Sequence, residues 1–496
     1  MRRVLLAGLA AVLWCLLAAP GARAAAAAVT PAVPGDLKAA EVTFRGDGGL
    51  VMRGTVLSPA RGGGARPGIV LIHGAGTGTP RTKLMGEAVE FARRGLSVLV
   101  YDKRSVGYSL FERSYARLAT DALGAVAALR RQPGVDPAKV GVWGLSEGGW
   151  VAPMAAARSR DVAFVVLVGA NSQQPLLQQA WAVHAGLRAA GVRGRLVDGT
   201  EPDLYRVLAD AELFPEPYYD PAPTIAAVRQ PVLAVWGVHD LLTPARESSA
   251  GFAEALRRGG NAHLTVRYFP DADHAAHRTP DRGVTRLPEL APGYADLVGS
   301  WVTDVTSGRP PASGASGPEP VQATPTVPVP PVDWWEAADV QAGALVVMLA
   351  GFAAYPLVAL VRRVRGRFSG DGADAGAAGA DGADGPRRPV SAAARLLSAG
   401  GLSVVLGSFG YVMYAVMTGA KLGSPGPLVA GRPVVWLALQ ALAVACVAAT
   451  AVTGLAWWRR RAGVAGGERV RLAALMAGGL VLLPWGLYWG LLLPGL

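Results

Sequence analysis

The stretch GVWGLSEGGW, residues 141–150, carries an apolar run into a glycine-rich turn and sets Ser146 in the pattern Gly144-Leu145-Ser146-Glu147-Gly148. With 64 glycines among 496 residues, G-x-S-x-G alone proves little. A serine hydroxyl is a poor nucleophile at neutral pH and needs an adjacent base. The surrounding chain must therefore supply a base, an acid and an oxyanion site in a workable order.

Working outward, residues 41–58 alternate apolar and polar around Gly48-Gly49 and predict a β-hairpin. PGIVLIHG is an apolar run too short for a helix and reads as a buried strand. Then follow the helix TKLMGEAVEFARRG, the strand LSVLVYD, the helix YARLATDALGAVAALRRQPG, the strand KVGVWGLS, the helix EGGWVAPMAAARS and the strand VAFVVLVGA. Strand–helix alternation implies a mostly parallel sheet covered on both faces. The alternation breaks at Asn171 for about sixty residues, expected to form a helical cap at about 171–230. Its acidic residues Glu201, Asp203, Asp210, Glu212 and Glu216 are expected on solvated helix faces. The strand PVLAVWG, a helix from Pro244, the strand LTVRYFP and the helix GYADLVGSWVTDVTS complete the domain.

Ligands of open parallel sheets bind at the carboxyl ends of the strands. His73-Gly74-Ala75-Gly76 follow one strand, Ser146 the next, His239-Asp240 another, and Asp271-Ala272-Asp273-His274 the last. The order Ser, Asp, His is that of an α/β nucleophile elbow. Among the six histidines, His263 precedes its strand, His184 lies in the cap and His239 abuts the candidate acid. His274 is thus the expected base, with His277 the fallback. Asp240 is expected to orient the imidazole and stabilise its cation; its alternative role is a helix N-cap before Pro244. Gly144 and Gly148 permit a tight strand-to-helix turn. The helix is expected to start at Ser146, its free N–H groups facing a developing oxyanion. The amides of Glu147 and Ala75 are the expected donors. The Glu147 side chain either is bland or orders the elbow.

Over about residues 41–307 the sequence resembles the α/β-hydrolases, in the bacterial esterase branch near dienelactone hydrolases and prolyl-oligopeptidase-type domains. The resemblance rests on His73-Gly74, YDKRSVGYS (101–109), GLSEGGWVAPMAAA (144–157), Gly237-Val238-His239-Asp240-Leu241-Leu242-Thr243-Pro244 and His274. Ser105 replaces an expected glycine in a structural loop. The resemblance implies hydrolysis of a small-molecule ester or acyl substrate, with no metal and no cofactor. A peptidase of the same fold is the runner-up; a non-catalytic receptor or transport accessory is the alternative of another class.

The remaining chain reads as a membrane protein. Arg2 and Arg3, an apolar Val4–Ala19 and Ala22-Arg23-Ala24 form a signal peptide or N-terminal anchor over residues 1–25. Four apolar runs, at about 340–361, 396–418, 434–457 and 472–493, are each long enough to span a bilayer and contain no charged residue or histidine. The net charge of +12 is concentrated outside the hydrolase region: residues 26–336 hold 31 basic and 30 acidic side chains, leaving 17 and 6 elsewhere. This is a topology signal rather than a nucleic-acid footprint. Arginine-rich loops after the first and third runs place those loops in the cytoplasm and the hydrolase region outside. Such a multi-pass protein has the lipid bilayer as its evident partner; the sequence identifies no protein partner. The only cysteines, Cys15 and Cys446, lie outside residues 26–336, which excludes thiolate catalysis and disulfides there. The proline-rich stretch 308–333 is expected to be an extended linker that stands the hydrolase several tens of ångströms off the bilayer, at about 3.1 Å per residue. The loop 370–385 reads as a flexible connector, and the membrane domain (337–496) as a four-helix anchor.

Overall fold

A computed structural model describes residues 33–109, 111–320, 322, 324–368, 391–419, 423–460 and 466–492. The leader and the loop 370–385 lie outside the described residues. The described residues divide into two compact units: 33–186 with Glu212–Val329, and Leu187–Ala211 with the described residues from Pro330 onward.

The first unit is built on a nine-stranded sheet. Its strands are β1 (Leu37–Arg45), β2 (Val51–Pro59), β3 (Arg66–Ile72), β4 (Ser97–Tyr101), β5 (Val135–Leu145), β6 (Val165–Val168), β7 (Val232–Gly237), β8 (Leu264–Phe269) and β9 (Gly314–Ser316), in the order β1-β2-β4-β3-β5-β6-β7-β8-β9. β2 runs antiparallel to β1 and β4; every pairing from β4 to β9 is parallel. This is the α/β-hydrolase fold. The covering helices are α1 (Met85–Arg93), α2 (Tyr115–Arg130), α3 (Gly148–Arg158), α7 (Ala245–Arg258) and α8 (Tyr294–Thr306), numbered to leave α4 (Pro175–Ala189), α5 (Glu201–Asp210) and α6 (Ala222–Ala226) for the insertion.

The central strands are apolar throughout because both faces are covered. Side chains alternate across a strand. Val70 and Ile72 therefore join the core containing α2, α3 and α7, while Ile69 and Leu71 join the opposite core with α1 and α8. Trp143, fully buried on β5, donates its indole N–H to the Tyr294 hydroxyl at 2.7 Å, so its polar atom is satisfied.

The proline-rich stretch differs from the extended linker that its composition predicts. Residues 314–316 pair with β8 as the ninth strand. Farther on, Glu247 accepts from the Gln322 side chain at 2.9 Å and from the Thr326 hydroxyl at 2.5 Å, and the Thr324 carbonyl accepts from the Trp181 indole at 2.8 Å. The physical reason is that β8 would otherwise present an unpaired edge, and Gly-Ala-Ser offers no bulk to oppose pairing.

The second unit holds four long helices: α9 (Ala338–Phe368), α10 (Ser391–Gly419), α11 (Val434–Arg460) and α12 (Gly466–Tyr488), each long and apolar enough to cross a membrane. Residues 187–211, expected within a single cap, instead belong to this unit. Arg206 on α5 forms a two-pronged ion pair with Glu336 at 3.1 and 2.5 Å, and Asp210 accepts the Ala338 amide at 2.8 Å.

The expectation of solvated acidic faces fails at Glu201, which is 1% exposed with neither carboxylate oxygen hydrogen-bonded among the described residues. Burial pushes its pKa well above the ordinary carboxylate value, with the nearby Asp203 charge adding to it. The folded state therefore retains a proton that the unfolded state releases as pH rises past the unfolded pKa, and stability falls with rising pH. Glu201→Gln removes that titration. Thermal melts of the detergent-solubilised chain between pH 5 and pH 8 are expected to show a flatter decline for the variant than for wild type; parallel curves would overturn the assignment.

Candidate active site

The elbow between β5 and α3 carries Ser146 at φ 55°, in the left-handed region that a side chain rarely adopts. Ser146 is therefore not the first helical residue as expected; α3 begins at Gly148, with Glu147 as its N-cap residue. The turn is fixed by the Ser146 amide donating to the Val168 carbonyl at 2.9 Å and by the Gly149 amide donating to the Ser146 carbonyl at 2.7 Å. A Cβ at Gly144 would lie 2.2 Å from the Gly148 carbonyl oxygen, and one at Gly148 would lie 2.7 Å from that of Ile72. Both glycines are required by close backbone approach. Gly74 packs against the elbow in turn, its Cβ position 3.3 Å from that of Ser146.

Asp240 follows β7 and His274 follows β8, so both stand at the sheet edge that also carries Ser146. His274 Nδ1 lies 2.9 Å from each Asp240 carboxylate oxygen. The same carboxylate accepts the Leu242 amide at 2.8 Å, the Thr243 amide at 2.9 Å and the Thr243 hydroxyl at 2.5 Å. Asp240 thus both caps the turn and holds the imidazole. Burial alone would raise its pKa, but His274 and these donors outweigh burial and hold it below the ordinary value.

His274 Nε2 is buried and has no hydrogen-bond partner among the described residues. The ring sits at the end of β6: a Cβ at Gly169 would lie 2.6 Å from Nδ1. Val168, one residue earlier, supplies the carbonyl that holds the Ser146 amide. A free Nε2 can accept a proton once a substrate closes the geometry, because catalytic hydrogen bonds are often long before substrate binds.

His277 and His73 are otherwise engaged. His277 contacts Glu87 through Nε2 at 3.1 Å and the Leu287 carbonyl through Nδ1 at 3.0 Å. His73 Nε2 lies 2.8 Å from the Tyr101 carbonyl, and burial lowers its pKa to about 4. The amides of Ala75 and Glu147 meet no protein acceptor among the described residues. Among those residues no cluster of His, Cys, Asp or Glu has the geometry of a metal site.

The sequence reading missed the partners of the Glu147 side chain, which is only 2% exposed. Lys103 Nζ reaches Oε1 at 2.5 Å, the Tyr108 hydroxyl lies 2.9 Å from Oε2, and Arg113 contacts Oε2 at 3.0 Å. The strand-end rule applied to β4 points to Lys103, which lies two residues past that strand. Lys103 and Tyr108 fall in the stretch 101–109 quoted for the resemblance, but nothing in the sequence pairs them, or Arg113, with Glu147.

Residues 113–290 match the prolyl oligopeptidase family. The chain is 34% identical over 133 residues to polyketide transferase claH of Penicillium crustosum, covering 26% of this chain and 43% of that protein. It is likewise 34% identical over 133 residues to thiohydrolase aneE of Aspergillus aculeatus, covering 26% and 40%. The chain thus spans less than half the length of either relative. The acylaminoacyl peptidase of Pyrococcus horikoshii superposes with a TM-score of 0.35 at 20% identity, over 48% of this chain and 38% of that one.

Proposed function

We propose that this chain, whose residues 113–290 match the prolyl oligopeptidase family, is a membrane-anchored serine hydrolase that cleaves carboxylic ester or related acyl bonds through its α/β-hydrolase domain. The observation that carries the reading is the buried His274–Asp240 pair with a free Nε2, set on the same sheet edge as a left-handed Ser146. In this mechanism Ser146 Oγ attacks the acyl carbon as its proton passes to His274 Nε2. Asp240 holds the imidazole tautomer and stabilises the cation. The tetrahedral oxyanion accepts from the amides of Ala75 and Glu147. His274 then returns the proton to the leaving oxygen, and water releases the acyl group by the same steps in reverse roles.

The hydrolysis named for the thiohydrolase relative and the group transfer named for the polyketide transferase relative support cleavage of an activated acyl bond. The family name keeps a peptidase as the second reading. Loop arginines and the apolar leader favour an extracytoplasmic hydrolase held by the four helices, where coenzyme A thioesters are not expected.

Incubating the full chain in detergent with a fluorophosphonate probe is expected to label Ser146. A panel of 4-nitrophenyl esters and aminoacyl-4-nitroanilides is then expected to give kcat/KM at least tenfold higher for the best ester. Absence of labelling would refute catalysis by this site; a preference for the anilides would establish the peptidase.

A further inference from the structure

The geometry points to Lys103, Glu147 and Tyr108 as a buried clamp that positions the Ala75 amide to receive the oxyanion. The inference rests on the hydrolase reading of Ser146. Lys103 Nζ donates to the Gly74 carbonyl at 2.6 Å, while the Tyr108 hydroxyl accepts the Gly76 amide at 3.3 Å. Both side chains then converge on the Glu147 carboxylate. The two contacts on the loop therefore bracket Ala75 from either side.

Planarity of the peptide bond makes this bracketing consequential. The Gly74 carbonyl and the Ala75 N–H belong to one rigid trans amide and point in opposite directions. Fixing the oxygen on Lys103 fixes the direction of the N–H. Drawing electron density toward the ammonium also makes that N–H a stronger donor. The other expected donor is the backbone amide of Glu147 itself. One residue thus contributes an amide to the oxyanion site and, through its side chain, anchors the loop that contributes the second.

The clamp is built for rigidity. The side chains of Lys103 and Glu147 are 4% and 2% exposed, and the Lys103 ammonium also sits 4.2 Å from the Tyr108 ring centroid. Arg113 supplies a second positive charge on the carboxylate. These protein contacts set the donor direction before substrate arrives, which is the condition for electrostatic catalysis.

The test uses the full-length protein in detergent with 4-nitrophenyl acetate as substrate and phenyl trifluoromethyl ketone as a tetrahedral-adduct inhibitor. Lys103→Met frees the Gly74 carbonyl and is expected to lower kcat about 10²-fold with KM within twofold of wild type, and to weaken the ketone by a similar factor. Tyr108→Phe removes a single hydroxyl and is expected to lower kcat about tenfold by the same pattern, so it decides the matter if Lys103→Met does not fold. A merely structural role would change the melting temperature without separating kcat from KM. Folded variants with kcat within threefold of wild type, or with KM and ketone affinity moving independently of kcat, overturn the clamp. Wild type that fails to react with the fluorophosphonate refutes the underlying hydrolase instead.

Discussion

Ser146→Ala is expected to reduce turnover of 4-nitrophenyl acetate by about 10⁴-fold or more, the scale seen when a triad nucleophile is removed. The substitution leaves the elbow intact, because the hydrogen bonds that fix it run through backbone atoms of Ser146. Its melting temperature is expected to stay near that of wild type. Adding His274→Ala is expected to cost little more, since residues that act as one unit are strongly non-additive. A further control uses the strain at this position. Ser146→Gly is expected to be equally inactive yet more stable by about 1 kcal/mol, as glycine adopts the left-handed conformation without penalty. Retention of a tenth of wild-type activity by Ser146→Ala would exclude this serine as the nucleophile.

Asp240→Asn is expected to lower kcat about 10⁴-fold while preserving the fold. The carboxylate accepts from His274, from two backbone amides and from the Thr243 hydroxyl. An asparagine keeps one acceptor oxygen for the amides of Leu242 and Thr243. Its NH₂ group then faces His274 Nδ1 and selects the tautomer protonated on Nε2, which cannot take the serine proton. The substitution also has a stability signature. The Asp240 pKa is depressed in the folded state, so its contribution is present above the unfolded pKa and is lost as pH falls through the folded one. Melting temperatures of wild type are expected to drop on the acid side more steeply than those of Asp240→Asn. Activity within tenfold of wild type, measured on protein with an unchanged near-neutral melting temperature, would remove Asp240 from the site.

The sheet was legible in the sequence because its strands are short apolar runs punctuated by glycine, and the order of helices followed from that spacing. The placement of Ser146, Asp240 and His274 at one sheet edge was legible because parallel strands deliver their carboxyl ends together. The Glu147 cluster was not. Lys103, Tyr108 and Arg113 are of types usually found at the surface or half-exposed, and only the fold reveals that they meet a carboxylate 34 to 44 residues away in the chain. The allegiance of residues 187–211 was also hidden, because it is written in pairs such as Arg206–Glu336, separated by 130 residues. Strand β9 escaped notice because Gly-Ala-Ser lacks the β-branched and aromatic residues by which strands are recognised.

Because the second unit recruits residues 187–211 from within the hydrolase sequence, the backbone passes from one unit to the other at 186/187, at 211/212 and again at 329/330. A protease that nicks the proline-rich stretch once would therefore not shed a soluble enzyme. The cut would end the covalent link to residues 330–496, yet residues 187–211 would still hold the N-terminal piece to them through contacts such as Arg206–Glu336, and freeing the hydrolase domain would demand cuts at the two earlier passages as well.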